Sequence, residues 1–97
     1  MADTSNPPTM VFAVVITYQP NLETLGALLE RLAGQVDTVL IIDNGSDNAP
    51  AVAQRVKQHA FARFTGVSEN RGLGWAHNEG LRTALAHSAD AVLLLDQ

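Results

Sequence analysis

Three short apolar runs, each stopping on a polar side chain, limit what this chain can fold into. They are Val11–Thr17, Thr38–Ile42 followed by Asp43, and Ala91–Leu95 followed by Asp96. Runs of this length, rich in valine and isoleucine and without strict alternation, read as strands buried on both faces. The segments between them carry a helical period instead. After Pro20, Asn21 can cap a helix whose Leu22, Leu25, Leu29, Leu32 and Val36 fall on one side. Asp47 or Asn48 can cap a second helix, with Pro50 in its first turn and Ala49, Val52, Ala53 and Val56 on one side. A weaker run, Arg63–Ser68, includes an arginine and a glycine, which suits an edge strand. The loop Glu69-Asn70-Arg71-Gly72-Leu73-Gly74 then opens a third helix, with Leu73, Ala76, Gly80, Leu81, Ala84 and Leu85 on its expected stripe. The order β-α-β-α-β-α-β, with short connections and right-handed crossovers, predicts a three-layer α/β fold. Its four-stranded, mainly parallel sheet is covered by helices on both faces.

Composition narrows the function. Apolar residues make up 46% and charged residues 16%, the balance of a globular chain. The formal net charge is −4, and the basic residues Arg31, Arg55, Lys57, Arg63, Arg71 and Arg82 are scattered, so no nucleic-acid surface is expected. Cysteine is absent, which excludes a disulfide framework and a thiolate nucleophile and is compatible with a cytoplasmic location. No apolar run approaches the ~20 residues of a spanning helix, and no membrane segment is expected. Residues 1–10, polar and carrying a Pro-Pro pair, read as a flexible tail ahead of a domain over 11–97.

Ligands of open parallel sheets bind beyond the carboxyl ends of the strands, where strand order reverses. Thr17-Tyr18, Asp43 and Asp96 all stand at such ends. A carboxylate there can accept from a ribose hydroxyl or base N–H, or ligate a hard cation. Asp43 alone reads equally well as the start of an Asx-type turn. The Gly72-Leu73-Gly74 loop misses the dinucleotide fingerprint, which needs glycine where His77 stands. It can still offer backbone N–H groups at a helix start, with Arg71 beside them, to a diphosphate, although Arg71 reads equally well as a solvated loop residue. Gly80 inside the helix suggests close helix–sheet packing, while Asn78 either faces solvent or braces the loop. His59 and His87, near helix C-termini, and His77 read as structural, and Trp75 as a core residue.

Taken together, four segments carry a resemblance. They are Val15-Ile16-Thr17-Tyr18, Ile41-Ile42-Asp43-Asn44-Gly45-Ser46, Glu69 through Gly80, and Leu93-Leu94-Leu95-Asp96-Gln97. In this order and spacing the chain resembles the N-terminal half of family 2 glycosyltransferases with the GT-A fold. Its last segment is similar to the rhamnosyltransferase-type members, whose Asp-x-Asp motif is often Asp-Gln-Asp. The resemblance implies that Thr17 and Tyr18 contact the nucleoside and that Asp43 binds the base or ribose. It also implies that Arg71 lies near the nucleotide and that Asp96 is the first carboxylate of the metal motif, for Mg²⁺ or Mn²⁺. The expected strand order is 3-2-1-4, which sets Asp96 at the reversal point beside Thr17. The implied reaction is sugar transfer with inversion from a nucleoside-diphosphate sugar, dTDP-rhamnose or a UDP-sugar, in polysaccharide or O-antigen synthesis. The acceptor would be a glycan or lipid-linked. The motif's second carboxylate, the general base and the acceptor site would lie past Gln97, so no catalytic residue is expected within this sequence and the piece alone is expected to be inactive. Two other readings stand beside this one. A non-catalytic α/β binding module of the phosphoacceptor kind would want a lysine at the strand ends, whereas Lys57 is mid-helix. A Rossmann-type oxidoreductase fragment is disfavoured by the glycine spacing.

Overall fold

Two opposed apolar faces on the same strands assemble this molecule. The structure, a computed structural model, describes residues 9–96, so residues 1–8 of the expected tail and Gln97 lie outside it. Strands β1 (Val11–Thr17) and β2 (Thr38–Asp43) are buried along nearly their whole length. Ala13, Val15, Val39 and Ile41 face α1 (Leu22–Leu32) and α2 (Ala49–Lys57), packing on Leu25, Leu29, Leu32, Val52 and Val56. Phe12, Val14, Ile16, Leu40 and Ile42 face the other way, onto Ala76 and Ala84 of α3 (Leu73–Ala86). Each fully buried aliphatic side chain stabilises the fold by about 1.5–3 kcal/mol. The two layers of such residues explain why a strand without polar positions belongs in the middle of the sheet. With β3 (Ala62–Gly66) and β4 (Ala91–Asp96), the sheet has four strands, all parallel, in the order β3-β2-β1-β4.

Local chemistry sets the helix ends. Asn21, extended at φ −76° and ψ 124°, accepts the Thr24 N–H on its side chain at 3.0 Å and so caps α1. Val36 lies past the end of that helix but is still buried, in the turn that leads to β2. Asn48 occupies the cap position of α2 without a side-chain cap bond; its Nδ2 donates instead to the Pro20 carbonyl at 3.2 Å. Met10, placed in the tail by composition, is tied to the β4 approach: its N–H donates to Asp90 Oδ2 at 2.7 Å, and its carbonyl accepts the Asp90 N–H at 2.8 Å.

Three expectations need correction. β4 stands at the edge beside β1, as the order 3-2-1-4 requires, but it is not buried on both faces: Leu93 is 47% and Leu94 44% exposed. An unbroken apolar run does not show which helices cover the two faces of its strand, and Leu93 and Leu94 point to opposite faces. The stripe of α3 is also narrower than expected. Ala76, Gly80 and Ala84 are buried, whereas Leu73 and Leu85 are 47% and 66% exposed. Leu85 follows Ala84 by one residue, about 100° round the helix, and so turns away from the sheet. The weak strand, at the edge as expected, runs over Ala62–Gly66 and not to Ser68. No helix among the described residues is long and apolar enough to cross a membrane.

Small residues on α3 allow it to lie close to the sheet, and Gly80 sets the limit. A Cβ there would sit 2.2 Å from Val14 Cγ1. Val14 is β-branched and fully buried, so it has no free rotamer to escape into. Gly80→Ala therefore lowers stability by about 1–3 kcal/mol, although alanine is the better helix former by ~1 kcal/mol. The shift in urea midpoint measures this, and adding Val14→Ala to Gly80→Ala should recover part of the loss that Gly80→Ala causes.

Candidate functional site

The chain builds β1, β2 and β3 outward in one direction, then returns to lay β4 on the other edge of β1. The reversal lies between the carboxyl ends of β1 and β4, where open α/β sheets have their ligand crevice. The register makes those ends level. Thr17 is opposite Asp43 across β1–β2, and Ile16 is opposite Asp96 across β1–β4. Parallel pairing therefore brings together three positions that are far apart in sequence.

Asp43 organises this rim. It and Thr17 are fully buried. Asp43 Oδ1 accepts the Thr17 hydroxyl at 2.7 Å and the Ser46 hydroxyl at 2.7 Å, and Oδ2 accepts the Ser46 N–H at 2.9 Å. A buried carboxylate costs several kcal/mol unless it is hydrogen-bonded, and these donors supply that compensation. Ser46 Oγ in turn accepts the Gln19 N–H at 2.8 Å. Gln19 has φ 50°, in the left-handed region that a side chain rarely adopts. Its amide holds that conformation by pairing twice with Asp47: Nε2 donates to Asp47 Oδ2 at 2.9 Å, and Oε1 accepts the Asp47 N–H at 2.8 Å. The turns after β1 and β2 are thus stitched into one unit.

The loop before α3 is fastened to that unit from the other side. Asn44, only 3% exposed, donates from Nδ2 to Asn70 Oδ1 at 3.2 Å and accepts the Arg71 N–H on Oδ1 at 2.9 Å. Asn70 Oδ1 also accepts the Gly72 N–H at 2.7 Å. Gly45, at φ 87°, lets the two backbones meet: a Cβ there would be 2.5 Å from Glu69 C and 2.6 Å from Asn70 N. Gly72, at φ 88°, turns the chain into α3 from the cap position. The Arg71 guanidinium lies over the Trp75 ring, with Cζ 5.3 Å from its centroid. Trp75 itself packs against the α3-side core.

The expected site residues divide accordingly. Thr17 and Asp43 form one buried pair, while Tyr18 is 48% exposed at the end of β1. Arg71 is exposed and stacked. Asp96 is placed by its backbone, as the last residue of β4 opposite Ile16. Among the described residues no group of three or more His, Cys, Asp or Glu could hold a metal ion. Asn78 faces solvent, so the loop is braced by Asn44 and Asn70 rather than from the helix. His87 caps α3, its Nδ1 2.8 Å from the Thr83 carbonyl, and His59 meets Phe61 edge-on. Sequence reasoning passed over Gln19, Asn44, Ser46 and Asn70. Asn44, Ser46 and Asn70 stand in polar turn clusters and in segments that carry the family resemblance, but neither signal shows which cluster bonds which.

Gly45→Ala tests the close approach. It puts a Cβ into the Glu69-Asn70 backbone and also demands a positive φ, so it should destabilise the fold by about 1–3 kcal/mol. The amide shifts of residues 69–72 should move while those of α1 stay put. Thr17→Val, which keeps the shape and removes the hydroxyl, should cost about 1–2 kcal/mol in urea unfolding. An unchanged midpoint would show that the Thr17–Asp43 bond contributes nothing net.

Residues 12–97 match the model of Glycosyl transferase family 2. The chain is also similar to a dTDP-rhamnosyl transferase, RfbF, of Shigella flexneri, with 30% identity over 89 residues. That alignment takes in 90% of this chain and 29% of the relative, so the chain spans less than a third of that protein's length. The all-parallel 3-2-1-4 sheet with helices on both faces agrees with the Rossmann-like half of a GT-A fold. The chain belongs to glycosyltransferase family 2.

Proposed function

We propose that this chain is the donor-nucleotide-binding part of an inverting glycosyltransferase that uses a nucleoside-diphosphate sugar. The observation that carries the reading is the register, which sets Thr17 beside Asp43 and the end of β4 beside Ile16 at the reversal of strand order. In this reading Thr17, Tyr18 and Asp43 form the nucleoside side of the crevice, with Tyr18 the exposed surface on which a base can lie. Arg71, at the loop before α3, faces the diphosphate as a fixed cation. The similarity to a dTDP-rhamnosyl transferase favours dTDP-rhamnose as donor, with a UDP-sugar as the alternative. The acceptor in this reading is a glycan or lipid-linked saccharide. Polysaccharide synthesis in the cytoplasm completes the assignment.

A divalent cation fits the chemistry of this donor better than it fits the described residues alone. Mg²⁺ needs an octahedron of oxygens and commonly takes several from substrate phosphates and water. Asp96 is the candidate protein ligand, and the bound Mg²⁺ or Mn²⁺ would offset charge on the departing diphosphate. The rest falls to the chain's own side chains. Asp43 keeps the β1 and β2 ends together, Arg71 adds positive charge to a chain of net charge −4, and Trp75 supports the arginine. These roles are binding and orientation, so the chain alone should bind the donor without transferring the sugar.

NMR titration with dTDP or UDP in the presence of Mg²⁺ tests the proposal. Weak affinity, roughly millimolar, should shift the amides of Thr17, Tyr18, Asp43, Arg71 and Asp96 and leave those of α2's last turn in place. Binding of NAD in preference to either pyrimidine nucleotide, or no shift at the rim at millimolar ligand, would overturn it.

A further inference from the structure

We propose that Asn44 is a positioning residue for Arg71, holding the loop before α3 so that the guanidinium is presented at the strand-end rim. This rests on the donor-binding reading given above. Asn44 bridges the β1–β2 strand ends and the loop before α3. On one side its own N–H donates to the Thr17 carbonyl at 2.8 Å, extending the β1–β2 ladder past the last paired residues. On the other side its buried amide is used at both ends. Oδ1 takes the Arg71 N–H and Nδ2 gives to Asn70 Oδ1, which in turn holds the Gly72 N–H. The residues on either side of Arg71 and its own backbone are therefore fixed relative to the sheet. An exposed cation–π contact is too weak alone to outweigh the rotamer freedom that a long arginine loses on being held. Stacking on Trp75 at 5.3 Å thus needs the backbone already in place. Gly45 points the same way, since the collision of any Cβ with Glu69 and Asn70 shows how tightly the turn after β2 is pressed against this loop. Asn44 reaches the ligand only through Arg71, so its effect should be on donor affinity.

Trp75 is the chain's one tryptophan, and its fluorescence therefore reports the stacked arginine without any ligand. The experiment is a double-mutant cycle of Asn44→Ala and Arg71→Ala. It reads the Trp75 emission of the free protein and the dissociation constants of dTDP and UDP with Mg²⁺. Arg71→Ala should change the emission in the wild-type background and change it little once Asn44 is alanine. Each single variant should weaken nucleotide binding about tenfold, with the double variant no weaker than either. Asn44→Asp keeps the acceptor for the Arg71 N–H but sets a carboxylate oxygen against Asn70 Oδ1, so it should recover only part of the affinity. An Asn44→Ala protein with wild-type emission and affinity, or an Arg71→Ala effect of equal size in both backgrounds, would overturn the assignment. Should Asn44→Ala fail the circular-dichroism check for folding, Asn70→Ala, at an exposed residue, decides on the same readouts. If the wild-type chain binds neither nucleotide, the donor-binding reading fails. The ligand-free Trp75 cycle still judges the clasp.

Discussion

The Asp43 carboxylate is the interaction on which the rim depends. It ends a strand buried on both faces, where water cannot solvate it, so its partners must come from the protein. Those partners are Thr17 from the neighbouring strand and Ser46 from the following turn. Satisfying one buried anion therefore locks the β1 end, the β2 end and the turn into α2 into one arrangement. Gln19 is drawn in through Ser46, and its left-handed backbone is held by the paired bonds to Asp47. Removing the carboxylate would leave two buried hydroxyls and an N–H without an acceptor, a heavier penalty than the loss of any single bond.

The same rim has a second fastening of a different character. The Asn44–Asn70–Arg71 contacts join neutral amides and backbone, and their outer partners are exposed. Each such bond contributes about 0.5–1.5 kcal/mol net, so the loop is ordered by the sum of several modest terms. The rim thus has a buried inner fastening and an exposed outer one. The glycines make this possible geometrically. Gly45 brings the turn and the loop together, while Gly80 brings α3 onto β1 and so fixes where that loop must end.

Most of the fold was legible because it follows from periodicity. Buried runs, helical stripes and Asn21 as a cap are local patterns, and chirality supplies the parallel sheet. The edge position of β3 was also visible, since an arginine and a glycine do not suit a central strand. The exposure of Leu93 and Leu94 was not visible, because a run of apolar residues does not show what covers the faces of its strand. The site was legible in its positions but not in its bonds. Thr17 and Asp43 could be placed on one rim from strand ends alone. That they bond each other, that Ser46 completes the pair and that Asn44 reaches Asn70 depend on contacts between residues 26 apart in sequence, apart from the local Ser46 contact. Turn clusters in a sequence announce that such bonds exist without stating their partners.

Burial of Asp43 also limits how a ligand can use it. A carboxylate offers about four acceptor positions, and three donors already occupy this one. One position on Oδ2 is therefore left for a ribose hydroxyl or base N–H. Yet the residue has no exposed surface in this arrangement, so a ligand donor can arrive only if a neighbouring group gives way. The Tyr18-Gln19 turn is the element best suited to do so. It is exposed, it holds an unfavourable backbone angle, and its attachments to Ser46 and Asp47 are side-chain bonds rather than ladder bonds. Thr17, by contrast, is anchored in the ladder, since its carbonyl accepts the Asn44 N–H. Movement at Tyr18 and Gln19 would open the carboxylate while leaving the Thr17–Asp43 pair intact. The strand ends would then keep their register, and the adjustable part of the rim would be confined to Tyr18 and Gln19.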